Sequence, residues 1–179
     1  MANALVILAD GFEEIEAVTP VDVLRRAGVE VIVAALREGI HVAGRTGITL
    51  HADTTLTSVE ARTFDAVILP GGPGVKHLRA DFRVRGIVER HTAAGRWIGA
   101  ICAAPTVLHD AGLLQGRRYT AHFSVANELP AMLPQERVVV DGNLITSRGA
   151  GTALDFGLQL VEKLVSREKA LEVAASICA

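Results

Sequence analysis

Cysteine is nearly missing from this chain of 179 residues: only Cys102 and Cys178 occur. Two thiols make no disulfide framework, and a reducing, cytoplasmic setting is expected. Aromatics are scarce as well, with one Trp, one Tyr and five Phe, although half of the residues are hydrophobic. The apolar mass is therefore Ala, Val, Leu and Ile, a composition suited to parallel strands buried on both faces. No charge sign dominates: 18 Lys and Arg stand against 20 Asp and Glu. With no basic patch interleaved with aromatics, neither nucleic-acid binding nor attraction to an anionic membrane is expected. Long hydrophobic runs are absent too. The first, Ala4 to Ala9, lacks a preceding positive charge and runs into Asp10, so it reads as a strand rather than a signal peptide or a span. The six histidines (His41, His51, His77, His91, His109, His122) show no H-x-H or H-E-x-x-H spacing and no Cys partner, so no metal site is expected. Gly71-Gly72-Pro73-Gly74 fits neither G-x-x-x-x-G-K-[ST] nor G-x-G-x-x-G, and no nucleotide cofactor is implied.

What is present is alternation. Strands are expected over Ala4–Ala9, Val29–Leu36, Ala66–Leu69 and Trp97–Ile101, with short ones at Ile48–Leu50 and Arg118–Thr120. Arg137–Asp141 and Asn143–Ser147 flank Asp141-Gly142, a hairpin signal. Helices fill the intervals: Glu13 to Ala27, Asp81 to Ala94, Pro105 to Gly112, Thr152 to Val165, and a last one from Ser166. Thr19-Pro20-Val21-Asp22 looks like a helix start, so the first helix is expected to kink or restart at Pro20. Thr152 to Asp155 reads as a capping box. No linker, repeat or low-complexity segment interrupts the pattern, and residues 1–179 are read as one domain, an open α/β sandwich. In such sheets sites lie beyond the carboxyl ends of strands, where Asp10–Glu16, Gly71–Gly74 and Cys102–Pro105 emerge.

Cys102 is the most informative residue. It stands between the apolar run Trp97–Ile101 and Pro105, a residue that fits the first turn of a helix. A thiol at a helix N-terminus is expected to have its pKa lowered. The small residues Ala100, Ala103 and Ala104 leave room for a sharp turn resembling a nucleophile elbow; a buried structural thiol is the competing reading. Glu13 and Glu16 are three apart and share a helix face. Glu16 lies among Ile15, Ala17 and Val18, and an inward carboxyl there is expected to stay protonated and act as acid or base. The glycines after Leu69 suit close backbone approach, with N–H groups offered to an oxyanion. His122 can reach a thiol as a base, and Arg148 can bind an anion; surface positions compete for both.

The segments Ala4–Glu16, Pro20–Gly28, Leu69–Gly72, Ala100–Pro105 and Thr146–Gly149 together closely resemble the ThiJ/PfpI superfamily, in the branch of the Parkinsonism-associated protein deglycase and the glutathione-independent glyoxalases. The resemblance implies a flavodoxin-like three-layer sandwich with a mostly parallel sheet, related to class I glutamine amidotransferase domains, and a homodimer. It implies Cys102 as nucleophile and Glu16 as its protonated partner. Gly72 and Ala103 would supply the oxyanion N–H groups, and His122 would lie near the thiol. It places Arg148 near the site and Arg26 on the dimer-facing helix. Gly44-Arg45-Thr46-Gly47 is one residue longer than the family's Ser-Arg-Gly, which leaves Arg45 unassigned. Relatives that act as proteases carry His directly after the Cys; Ala103 stands here. The implied activity is cofactor-free removal of reactive aldehydes such as methylglyoxal. The alternative is a redox-sensing, chaperone-like stress protein with an oxidisable cysteine.

Overall fold

The computed structural model describes residues 1–179. Its order is β1 (Asn3–Leu8), α1 (Glu14–Arg26), β2 (Glu30–Ala35), β3 (His41–Ala43), β4 (Thr49–His51), β5 (Thr54–Thr55), α2 (Leu56–Val59), β6 (Ala66–Leu69), α3 (Val75–Ala80) and α4 (Phe82–Ala93). Then follow β7 (Trp97–Ile101), α5 (Pro105–Asp110), β8 (Val138–Asp141), β9 (Leu144–Ser147), α6 (Ala153–Leu164) and α7 (Arg167–Ser176). Seven strands form one sheet in the order β5-β2-β1-β6-β7-β9-β8, parallel except for edge strand β8. Because β1 is flanked by β2 on one side and β6 on the other, the winding reverses at β1. That is where an open α/β sheet leaves a crevice.

The central strands β1, β6 and β7 are apolar beyond Asn3 because both faces are covered. Ala4, Val6 and Leu8 of β1 join the layer made with α1, α6 and α7; Leu5 and Ile7 join the layer made with α2 to α5. This period of two follows from the pleat. No helix is long and apolar enough to cross a membrane.

Three sequence expectations are corrected. Helix α1 runs unbroken through Pro20. The missing N–H at Pro20 takes the donor from the Glu16 carbonyl, but the helix is held by packing: Pro20 and Val23 are buried against α6 at Gly157. Arg118–Thr120 is not a strand. Strand β9 is already paired on both sides, by β7 and β8, so no ladder is open to it. The Thr120 N–H instead donates to the Thr146 hydroxyl at 3.0 Å. The Thr152–Asp155 capping box does not form. Asp155 accepts from Arg137 at 2.7 Å, while the Thr152 hydroxyl pairs with Ser147 Oγ at 2.7 Å and accepts from the Gly149 N–H. The structure adds α3 and strand β3, which were not read from the sequence; β3 pairs with β4, the short strand expected at Ile48–Leu50.

Candidate active site

Cys102 leaves the end of β7 with φ of 65°, in the left-handed region that non-glycine residues avoid. Such a residue costs roughly 1–2 kcal/mol, so its surroundings must hold it. They do so from both sides: its N–H donates to the Ser147 carbonyl at 2.9 Å, and its carbonyl accepts from the His122 N–H at 2.8 Å. The turn is completed by Ala104 N–H to Ile101 carbonyl at 3.0 Å and by the Thr106 hydroxyl to the Ala103 carbonyl at 2.7 Å. The elbow expected from the small residues around Cys102 is thus present in the backbone.

Glu16 approaches from α1, which follows β1, two strands from β7, and is 1% exposed. Its Oε2 accepts from the Gly71 N–H at 2.9 Å. Gly71 separates the acid from the thiol so closely that a Cβ there would lie 2.6 Å from both Cys102 Cβ and Glu16 Oε2. Gly72, with φ of 90°, brings its N–H to the sulfur, as does Ala103. Here the glycine pair is required by close approach and by a positive φ.

Burial pushes the Glu16 carboxyl up to about 7, against the pull of Cys102 and the Gly71 N–H. Burial also raises the Cys102 thiol to about 12, with the charge and hydrogen bond of Glu16 adding to the effect and the Gly72 and Ala103 N–H groups opposing it. The expected lowering of the thiol pKa is therefore corrected. Helix α5 has six residues, and its N-terminal field does not outweigh a buried carboxylate. The two groups form one coupled acid pair: a negative charge on either raises the other, so a thiolate requires the proton on Glu16.

Around this pair stand residues of unequal legibility. Arg45, left open by the sequence, forms an ion pair with Glu13 at 2.9 Å and lowers the Glu16 pKa. His122 is tied to Cys102 through its backbone. Its Nδ1 accepts from the Ser124 N–H at 3.3 Å and contacts Ser124 Oγ at 2.8 Å, an arrangement that puts the neutral ring's proton on Nε2. Arg148 donates to the Pro134 carbonyl at 3.3 Å and lines a cleft of about 700 Å³ that also contains His122. A second cleft, of about 450 Å³, is lined by Gly72 and Ala103. Arg26 lies outside this assembly, paired with Asp22 on α1 at 2.8 Å. The Gly71 N–H, expected to serve an oxyanion, is taken by Glu16 instead; the role of the Ser147 carbonyl was missed, since backbone contacts across strands leave no mark on residue type.

A mostly parallel flavodoxin-like sheet with a strained cysteine beyond β7 and a buried carboxyl beyond β1 defines a class of proteins. The chain belongs to the DJ-1/PfpI family, whose model matches residues 2–163. Among curated relatives it is 42% identical to protein dj-1beta of Drosophila melanogaster, over 98% of this chain and 96% of that one. It is 35% identical to the glutathione-independent glyoxalase DJR-1.2 of Caenorhabditis elegans, with the same coverage. Among solved structures, oxidized DJ-1 of Toxoplasma gondii superposes with a TM-score of 0.95 at 38% identity, covering 99% of this chain and 98% of that one.

Proposed function

We propose that this chain, acting through residues 1–179 as one domain, is a cysteine-dependent enzyme that removes reactive dicarbonyls in the cytoplasm. It converts methylglyoxal to lactate without glutathione, or releases the same adducts from glycated proteins and nucleotides. The observation that carries this reading is the pairing of Cys102 with a buried carboxyl whose pKa, about 7, suits a base at neutral pH. The relative named as a glutathione-independent glyoxalase supports it.

In this reading ionised Glu16 takes the thiol proton as the sulfur bonds to the aldehyde carbon. The developing oxyanion is held by the Gly72 and Ala103 N–H groups. Glu16 hands that proton to the oxyanion and, ionised again, removes the proton from the former aldehyde carbon with His122 as the relay, giving an enediol. Reprotonation at the neighbouring carbon leaves a thioester of lactate, and water cleaves it to free the thiol. The sum is methylglyoxal plus water to lactate, with no external oxidant. Methylglyoxal loss without glutathione, with lactate quantified, tests the scheme. Turnover should vanish in Cys102→Ala and fall steeply in Glu16→Gln; a folded Cys102→Ala protein that keeps full turnover would falsify it.

A second reading is favoured by one feature: the Gly72 and Ala103 N–H groups favour negative charge on the sulfur itself. Together with protonated Glu16 they suit a sulfinate, as in a redox-sensing, chaperone-like stress protein. Mass spectrometry after mild peroxide discriminates: a stable two-oxygen adduct confined to Cys102, with poor aldehyde turnover, favours the sensor. We propose a homodimer as well. Ile15 and Val18 on α1 and Ile48 before β4 are about half exposed, an apolar face beside Arg26.

A further inference from the structure

The cleft between His122 and Arg148 is far larger than a three-carbon aldehyde needs. At about 700 Å³ it falls within the size range of clefts that hold whole small-molecule ligands, roughly 300–1,000 Å³. Its lining contains Arg137, Arg148, His122 and Gln135 but no acidic residue. Arg137 is committed to Asp155 at 2.7 Å. Arg148 has no carboxylate partner; its guanidinium meets one carbonyl, that of Pro134, at 3.3 Å. Phe123, also in the lining, is 77% exposed, with its ring 4.1 Å from that of His122. The cleft borders the acid: its lining residue Gly149 is placed so that a Cβ there would lie 3.3 Å from the His122 ring and 3.9 Å from Glu16 Oε1.

We infer that this cleft is a second subsite, reading a planar body on Phe123 and an anionic tail on Arg148, so that the preferred substrates are α-oxoaldehydes carrying a carboxylate or phosphate. The inference rests on the aldehyde-removing reading of Cys102 and names its substrate class. Arg148 supplies a planar fork of donors matched to a carboxylate; Phe123 supplies stacking area already exposed. The chemistry is unchanged: water adds, the aldehyde carbon is oxidised to a carboxylate, and the adjacent carbonyl is reduced to a hydroxyl.

The test compares kcat/KM for 4-carboxyphenylglyoxal, phenylglyoxal and methylglyoxal. The wild type should favour the carboxylated compound over phenylglyoxal by roughly tenfold or more, about the worth of one charge-assisted contact. Arg148→Gln should collapse that ratio and Arg148→Lys restore part of it; reading a ratio cancels any general loss of activity. Phe123→Ala should weaken both aromatic substrates relative to methylglyoxal. Turnover of all three with no preference for the carboxylate overturns the subsite and leaves the enzyme reading standing. If no aldehyde is consumed, the enzyme reading fails, and calorimetry with 4-carboxymandelate against mandelate still decides the subsite. Tighter binding of the former, lost in Arg148→Gln, supports it; equal binding overturns it.

Discussion

Glu16 carries a measurable cost at the scale of a single residue. Its carboxyl is buried and its pKa lies near 7, above the ordinary 4.5. The folded state therefore holds the proton more tightly than the unfolded one, and the stability this gives is present at low pH and lost as pH rises from about 4.5 to 7. A displacement of that size corresponds to roughly 3 kcal/mol. Glu16→Gln keeps an acceptor for the Gly71 N–H and removes the charge, so its melting temperature should exceed the wild type's near pH 8 and match it near pH 4.5. Equal melting at both pH values would count against a raised carboxyl. Activity should move the other way: kcat/KM climbs through about pH 7 as Glu16 becomes a base, and Glu16→Gln flattens that limb. Gly71→Ala forces a methyl into the gap between acid and thiol. Turnover should drop by more than about tenfold even where circular dichroism reports a folded protein, since small misplacements at a reacting centre are costly.

Helices α1 and α6 illustrate what decides an element. Pro20 should have broken α1, yet the helix continues through it because its buried face is clamped by α6 at Gly157. A Cβ at Gly157 would lie 2.5 Å from Val23 Cγ2 and 3.2 Å from Pro20 Cα. One of those neighbours is backbone and cannot yield. Gly157→Val should therefore lower stability by roughly 2–4 kcal/mol through overpacking, outweighing its gain in helix propensity. Urea titration measures this, and a neutral or stabilising result would show that the two helices can part. Since α1 also carries Glu16, the same variant should reduce aldehyde turnover.

Acid sensitivity belongs to the molecule as a whole. His91, 1% exposed, accepts the Phe64 N–H on Nε2 at 3.0 Å and, through Nδ1, donates to the Ile87 carbonyl at 2.7 Å. Burial lowers its pKa, so the unfolded chain takes up a proton that the folded one refuses. Stability is full above about 6.5, the free imidazole value, and declines as pH falls below it. Glu16 acts in the opposite direction over the same range, so the decline is best read in Glu16→Gln. A urea midpoint there that stays level between about pH 7 and 5.5 would contradict the assignment. Association is a further global property. The proposed dimer face includes Ile15 and Val18, and Val18→Asp should shift the mass seen by light scattering toward one chain without unfolding it.

The sequence by itself determined the layer architecture and the place of Cys102 at the end of a strand. Apolar runs such as Ala66–Leu69 and Trp97–Ile101 can be buried only between two covering layers, and small residues around Cys102 permit a sharp turn. These are local properties, written in consecutive side chains. The tertiary structure decided the rest. Whether Pro20 ended a helix depended on a glycine in α6; whether Arg118–Thr120 became a strand depended on β9 having both edges occupied. The ionisation of Cys102 also escaped local reading. A thiol at a helix start looks activated, but its pKa is set by burial and by a carboxyl that arrives from helix α1. Pairwise electrostatics at short range depends on which groups the fold brings together, and distance along the chain does not report that.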